Sequence, residues 1–191
     1  MDWVYDDGGR SRYFKGEAGD CVCRAIAIAL DRDYKEVYDD LAKLNEARCG
    51  KRSARNGIDR KDIHKYLADN GFVWTATMKF GQGCRVHMRE DELPEGRLVL
   101  NLSRHLTAVV DGVCHDTYDP SRDGTRCVYG YWSQGTRAEG RDQARRSAEA
   151  RDAFAEKMEA ACADLKAGRI DPGEFMALAR EWHGAWLETQ R

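Results

Sequence analysis

The sequence predicts an α+β fold followed by a C-terminal helical hairpin, on three observations. Apolar residues recur at helical spacing between residues 20 and 70. From residue 72 to about residue 118 the pattern changes to the alternation typical of strands. From Arg141 onward, helical spacing returns in a segment rich in alanine and charge. The 191 residues suffice for one packed domain with an extension, and we place these at residues 1–134 and 135–191.

Composition and charge exclude several classes of partner. The 33 acidic and 31 basic side chains nearly cancel to a net charge of −2, so no overall charge attracts a polyanion. Residues 1–7 lack the basic flank and the apolar region that export requires. The seven cysteines are an odd number without metal-ligand spacing. We therefore expect a cytoplasmic protein with free thiols that binds no nucleic acid, membrane, metal or other cofactor.

Cys21 stands at the start of the first predicted helix. Asp20 is a residue type whose carboxylate caps helices, and the apolar run from Ala25 to Leu30 forms the helix body. At a first helical position the unpaired N–H groups and the positive helix end favour a nucleophilic thiolate, and the same N–H groups can hold an oxyanion. The alternative is that Cys21 is a small apolar core residue. Cys23 points about 200° away from Cys21, so we assign it to the core.

Two further helices and a short N-terminal strand or arm, with Trp3 and Tyr5 on one face, surround this element. Asp33 and Glu36 predict a capping box at the start of the second helix. Residues 45–57 are polar and predict a surface loop. A third helix is expected from about Asp59 to Asp69, where Asn70 and Gly71 end it.

A hairpin centred on Asp111-Gly112 is the strongest strand signal. An Asp-Gly pair between two β-rich runs predicts a two-residue turn, which here joins residues 105–110 to residues 113–118. Because side chains alternate along strands, His105 and Asp116 then lie on one face as diagonal neighbours within hydrogen-bonding reach. Such a pair can accept a thiol proton and orient the imidazole. The alternative is that both are ordinary polar residues at strand ends.

The turn also fixes the register of the hairpin, and three further strands are expected. Ala108 pairs with His115 in this register, which places His115 on the opposite face from His105. The other strand signals are residues 72–78, 85–88 and 97–102.

Taken together, these residues resemble the papain-like cysteine hydrolases. The resemblance rests on Asp20-Cys21 opening a helix that continues Arg24-Ala25-Ile26-Ala27, a capped second helix, and His105 followed by Asp-Gly-x-x-x-Asp-Thr. It covers about residues 15–132 and is strongest to small phage and bacterial proteins related to the bacteriocin-processing peptidases. It implies a nucleophile-bearing helix packed on an antiparallel sheet, with Cys21 as nucleophile, His105 as base and Asp116 as the residue that orients the base.

One departure from the family concerns the oxyanion hole. Such enzymes usually have a glutamine about six residues before the cysteine, and Lys15 occupies that position here. Lys15, Gln82 or Asn101 could substitute, or backbone N–H groups could act alone. Loss of one oxyanion donor lowers the rate about a hundredfold or more, so the missing glutamine predicts weak rather than absent catalysis.

The C-terminal segment predicts an antiparallel helical hairpin after a linker at residues 135–140. Its second helix begins at Pro172 and carries Trp182 and Trp186 in an apolar stripe. One interpretation is that the hairpin packs on the domain or on itself. The other is that Trp182 and Trp186 anchor a partner or a second copy of the chain in a homodimer.

The resemblance implies a cysteine-dependent hydrolase or acyl transferase that acts on a peptide, isopeptide or side-chain amide bond. Its phage-like character suggests a protein or peptide substrate from a host. The competing hypothesis is a catalytically silent fold that binds a host protein through its C-terminal helices. The missing glutamine favours this hypothesis, whereas the aligned Cys21, His105 and Asp116 favour the enzyme.

Overall fold

A computed structural model describes residues 1–78, 81 and 83–188 of the chain, without the side chains of residues 137, 144 and 186–188. In that part the chain is a mixed α+β structure, as the sequence predicts. The regular elements in chain order are β1 (Trp3–Tyr5), α1 (Cys21–Leu30), α2 (Tyr34–Cys49), α3 (Arg60–Asp69), β2 (Phe72–Ala76), β3 (Arg97–Leu102), β4 (His105–Val110), β5 (Val113–Asp116), β6 (Gly130–Gln134), α4 (Arg137–Lys166) and α5 (Pro172–Glu188).

The six strands form one sheet in the order β1-β5-β4-β3-β6-β2. Neighbouring strands are antiparallel except β1 and β5, which are parallel, so the sheet is mixed rather than purely antiparallel. In the hairpin of β4 and β5, Ala108 lies opposite His115, which confirms the register that the Asp-Gly turn predicts.

Apolar side chains cover both faces of the sheet, which explains the nearly continuous apolar sequences of β3 and β4. Helix α1 packs on one face, where Leu106 and Ala108 of β4 belong to the main core. The other face is covered by loop residues such as Met88 and Val128.

Helix α1 follows the direction of β4. The Cys21 thiol lies beside Leu106 near the start of β4. At the other end, the Ile28 carbonyl accepts a 2.7 Å hydrogen bond from Arg97, which is paired with the last residue of β4. The helix therefore brings its N-terminus to the end of the sheet where β4 begins.

Three element boundaries differ from the sequence prediction. Helix α2 continues to Cys49 instead of ending in a loop at residue 45, and Gly50, with a φ of 74°, ends it. Helix α4 begins at Arg137 and leaves no linker at residues 137–140, because Thr136 and Glu139 form a capping box. Residues 85–88 form only an isolated bridge, from His87 to Cys127.

Strand β6 was not predicted from the sequence. It is five residues long and lies between β3 and β2, so both of its edges are hydrogen-bonded to strands distant in the sequence. Long-range pairing of this kind leaves little local signal in a short segment.

The expectation of free thiols is wrong for two cysteines. Cys84 and Cys127 form a disulfide, with their Cα atoms 5.7 Å apart. The bridge between His87 and Cys127 brings the two chain segments side by side, although 43 positions separate the cysteines. The five other cysteines, all in the described part of the chain, are free thiols.

None of the helices in the described segments combines the length and the apolar character that crossing a membrane requires.

Candidate active site

The hairpin of β4 and β5 brings His105 and Asp116 into direct contact. His105 Nε2 and Asp116 Oδ2 are 2.7 Å apart, and the two residues are 8% and 4% exposed. The second carboxylate oxygen of Asp116 accepts a 2.7 Å hydrogen bond from the backbone N–H of Thr117. The Tyr118 ring lies 5.2 Å from the imidazole, centroid to centroid. Asp116 therefore holds the imidazole in one orientation within a largely closed environment.

Cys21, the first residue of α1, supplies the third member of the cluster. Its thiol lies close enough to the His105 side chain and to the backbone of Leu106 for both to act on its pKa. Since Asp116 engages Nε2 of the imidazole, Nδ1 is the nitrogen left for the thiol. The structure thus brings together all three residues that the sequence predicts as nucleophile, base and orienting residue.

The pKa values of the cluster favour charge separation between Cys21 and His105. Burial raises the pKa of the Cys21 thiol, but the hydrogen bonds from His105 and Leu106 and the charges of His105 and Arg24 outweigh it, so the pKa falls below its ordinary value. Burial lowers the pKa of His105, but its bonds to Asp116 and Cys21 raise it to about 9. Both shifts favour a thiolate beside an imidazolium over the neutral pair.

Asp116 stays ionised in this environment. Burial raises its pKa, whereas the hydrogen bond with His105, assisted by Thr107 and Thr117, lowers it below the ordinary value. An ionised carboxylate on Nε2 stabilises the imidazolium form of His105, which is the role expected of the orienting residue.

The Asp20 side chain does not cap α1, contrary to the sequence prediction. Asp20 stands at the N-cap position, but its carboxylate makes no capping hydrogen bond. It is 1% exposed and instead binds Arg10, Arg24 and Tyr34. The first-turn N–H groups of α1 are therefore not occupied by this carboxylate, and they remain candidates for holding an oxyanion.

The three candidate side chains for the oxyanion hole lie in different settings. Lys15 is exposed in the loop before α1. Gln82 falls outside the described residues. Asn101 lies on β3 directly opposite Leu106, on the face where α1 packs, and is half-buried. Of the two described candidates, Asn101 is the one that the sheet places next to the strand position in contact with Cys21.

Other reactive residues lie away from the cluster. Cys23 is completely buried, and burial raises its thiol pKa, so it is a core residue as predicted. His115 bonds to Asp6 at 3.0 Å on the opposite face from His105. Burial lowers the pKa of His64 to about 4, where it packs against Trp132 at a ring distance of 4.8 Å. In the described residues, no group of three or more His, Cys, Asp or Glu side chains is arranged to hold a metal ion.

Sequence reasoning missed Arg10 and Tyr34 as neighbours of the site. Arg10 lies in a short 3₁₀ turn (Arg10–Arg12) of the glycine-rich loop, and Tyr34 is the first residue of α2. The available signal was Asp20 itself, because a carboxylate next to an apolar helix must find cationic partners when it is buried.

The predicted C-terminal anchor residues are described only in part. Trp182 is half-buried on α5, and the Lys157 ammonium of α4 lies 5.8 Å from its ring centroid. The Trp186 side chain falls outside the described part. Trp182 thus makes contact within the hairpin itself.

Compared with protein-family models, curated proteins and solved structures, the chain has no significant match.

Proposed function

We propose that the protein is a papain-like cysteine hydrolase or acyl transferase that acts on a peptide, isopeptide or side-chain amide bond of a protein or peptide. The observation that carries this proposal is the cluster in which the Cys21 thiol lies beside His105, whose Nε2 is 2.7 Å from Asp116 Oδ2. A thiol paired with an imidazole that a carboxylate orients is the arrangement that nucleophilic acyl transfer requires.

The proposed reaction begins with attack of the Cys21 thiolate on the amide carbonyl carbon. A C–S bond forms, and the carbonyl electron pair moves to oxygen, where first-turn N–H groups of α1 and the Asn101 amide are the proposed donors. When the intermediate collapses, the C–N bond breaks and His105 gives its proton to the leaving amine. Water then gives a proton to His105 and forms a C–O bond to the thioester carbonyl carbon. The C–S bond breaks, which releases the carboxylic product and regenerates the Cys21 thiolate beside the His105 imidazolium. An amine acceptor in place of water forms a C–N bond in the same way and completes acyl transfer.

Both charged partners are needed, so the proposed activity depends on pH in a defined direction. Activity rises as pH increases through the lowered pKa of Cys21, because the thiolate forms. It falls as pH increases through about 9, because His105 loses the proton that the leaving group needs. The expected profile is a bell with its alkaline side near pH 9.

The proposal is tested by the rate of iodoacetamide labelling at each cysteine, mapped by peptide mass spectrometry between pH 5 and pH 9. We expect Cys21 to react at lower pH than an ordinary thiol in the wild type and to require higher pH in His105→Ala, because the imidazolium no longer stabilises the thiolate. The matched control is His115→Ala, which removes a carboxylate-bonded histidine from the other face of the hairpin.

The proposal would be contradicted if labelling of Cys21 in the wild type had the pH dependence of an ordinary thiol. It would also be contradicted if His105→Ala and His115→Ala showed the same pH dependence of Cys21 labelling. The hypothesis of a non-catalytic protein that binds through its C-terminal helices would then be favoured.

A further inference from the structure

Beside Cys21 lies a buried charged network centred on Asp20, whose carboxylate takes no part in the bond changes of the proposed reaction. The Asp20 carboxylate accepts a 2.7 Å hydrogen bond from Arg10 Nε and a 2.5 Å hydrogen bond from the Tyr34 hydroxyl on Oδ2, and another from Arg24 on Oδ1. Asp20 is 1% exposed and Tyr34 is 1% exposed, whereas Arg10 is 9% exposed. Two guanidinium groups and one phenol thus surround a single carboxylate.

Stability alone is a weak reason for such a network. Removing charged groups from water costs several kcal/mol for each ion, and well-packed apolar residues often replace a buried ion pair without loss. What a buried network does fix is geometry, because each oxygen of Asp20 has a definite partner.

The network fixes the chain on both sides of the nucleophile. Arg10 also donates to the Gly16 carbonyl at 2.6 Å, which ties the loop before α1 to Asp20. Arg24 lies one helical turn after Asp20, and its backbone N–H bonds to the Asp20 carbonyl at 3.2 Å. Tyr34 connects the start of α2 to the same carboxylate. The peptide that carries Cys21 is therefore held from the loop, from its own helix and from the next helix.

We propose that Asp20, clamped by Arg10, Arg24 and Tyr34, is a positioning residue that holds the Cys21 sulfur against His105. This inference rests on the proposed function, because it assigns a role within the same site. By turning its carboxylate into the network, Asp20 also leaves the first-turn N–H groups of α1 uncapped, whereas a capping carboxylate would occupy them.

The Asp20→Asn variant distinguishes positioning from simple electrostatics by the sign of one shift. Removing a negative charge beside Cys21 lowers the thiol pKa if charge is the only effect. Releasing the clamp moves the sulfur away from His105 and raises the pKa towards that of an ordinary thiol. We expect a rise of about one unit in the pH midpoint of Cys21 alkylation by iodoacetamide.

The Tyr34→Phe variant provides a second test that changes no charge. It removes one hydrogen bond from Asp20, so we expect a smaller rise of the same sign. It also keeps the inference testable if Asp20→Asn does not fold, which far-UV circular dichroism would detect. The controls are Asp40→Asn and Tyr66→Phe, since Asp40, Tyr66 and Arg32 form a network of the same residue types away from Cys21, although it is more exposed than the Asp20 network.

The outcomes separate this inference from the proposed function. The inference is supported by two results together. The pH midpoint of Cys21 alkylation is low in the wild type and depends on His105. The same midpoint rises in both network variants but not in the controls. An unchanged or lowered midpoint in the folded variants overturns the positioning role and leaves the proposed function intact. An ordinary midpoint in the wild type contradicts the proposed function itself.

Discussion

At the residue scale, burial and pairing act in opposite directions on each member of the Cys21, His105 and Asp116 cluster. Burial disfavours the charged form of all three groups, yet pairing shifts each pKa towards the charged form. The charges therefore depend on one another. Removing one partner leaves a buried charge without compensation, which destabilises a protein far more than an exposed ion pair contributes.

The pairing of His105 with Asp116 makes stability depend on pH. Because the folded pKa of His105 is raised to about 9 from an ordinary value of 6.5, the folded state holds a proton that the unfolded state loses between these values. This contribution is fully present below pH 6.5 and is lost as pH rises through the folded pKa. A Cys21→Ala background removes the opposing titration of the thiol and also the part of the His105 shift that Cys21 causes, but Asp116 still raises the His105 pKa. In this background we therefore expect the free energy of unfolding to fall as pH rises from 6 to 9.5.

The measurement is urea denaturation at several pH values, with Cys21→Ala compared with the Cys21→Ala, Asp116→Asn double variant. The double variant loses the main group that raises the His105 pKa, so its stability should change less over the same pH range. Equal slopes in the two proteins would mean that Asp116 does not control the protonation of His105.

At the scale of elements, α4 is joined closely to the edge of the sheet. The buried side-chain amide of Gln143 donates to the Trp74 carbonyl and accepts from the Trp74 N–H, each at 2.5 Å. The helix thus satisfies backbone groups of β2, the edge strand. Gly140, one turn earlier, lets α4 approach closely, since an added Cβ would lie 2.8 Å from the Phe72 carbonyl oxygen and 2.9 Å from that of Ala68.

Gly140→Ala is therefore expected to destabilise the protein by about 1–3 kcal/mol, because both close atoms are backbone atoms that cannot move freely. This loss runs against the helix propensity of alanine, which favours the substitution by about 1 kcal/mol. The control is Gly184→Ala in α5, where nothing lies within 4 Å of the added Cβ and propensity alone should act. Chemical denaturation of both variants measures the difference, and equal stabilities would show that α4 does not pack closely on β2.

At the scale of the whole molecule, the sheet has different cover on its two faces. Helices cover the face where α1 lies, whereas long loops cover the face that carries Val109 and Cys114. The Cys84–Cys127 disulfide joins the two loop segments that pack on this second face, one with Met88 and the other with Val128. Backbone hydrogen bonds between Met88 and Arg126 and between Val128 and Val86 lie close to it.

Replacing both Cys84 and Cys127 with serine is expected to lower the free energy of unfolding by roughly 2–4 kcal/mol, because the 43-residue separation gives the unfolded chain more freedom. Denaturation of the double variant beside the oxidised wild type tests this. The control replaces the exposed free Cys49 with serine, which should change stability little. If the double variant and the wild type had the same free energy of unfolding, the disulfide would not stabilise the fold.

Local sequence patterns are sufficient to predict the elements with strong local signals. Asp-Gly between two β-rich runs specified the hairpin register, and with it the adjacency of His105 and Asp116, because a two-residue turn admits one pairing. The apolar run after Asp20 specified α1 with Cys21 as its first residue. Such features depend on neighbours within about ten residues, so local patterns suffice to predict them.

Features that depend on contacts between distant parts of the chain could be seen only in the folded protein. The placement of β6 between β3 and β2, the Cys84–Cys127 pairing and the docking of α4 through Gly140 all join segments that are remote in sequence. The orientation of the Asp20 side chain also depends on distant residues. A local rule predicts that its carboxylate caps α1, whereas in the fold the buried carboxylate binds Arg10 and Tyr34 instead. Burial with charged partners outweighs a single capping hydrogen bond, and only the folded chain brings those partners together.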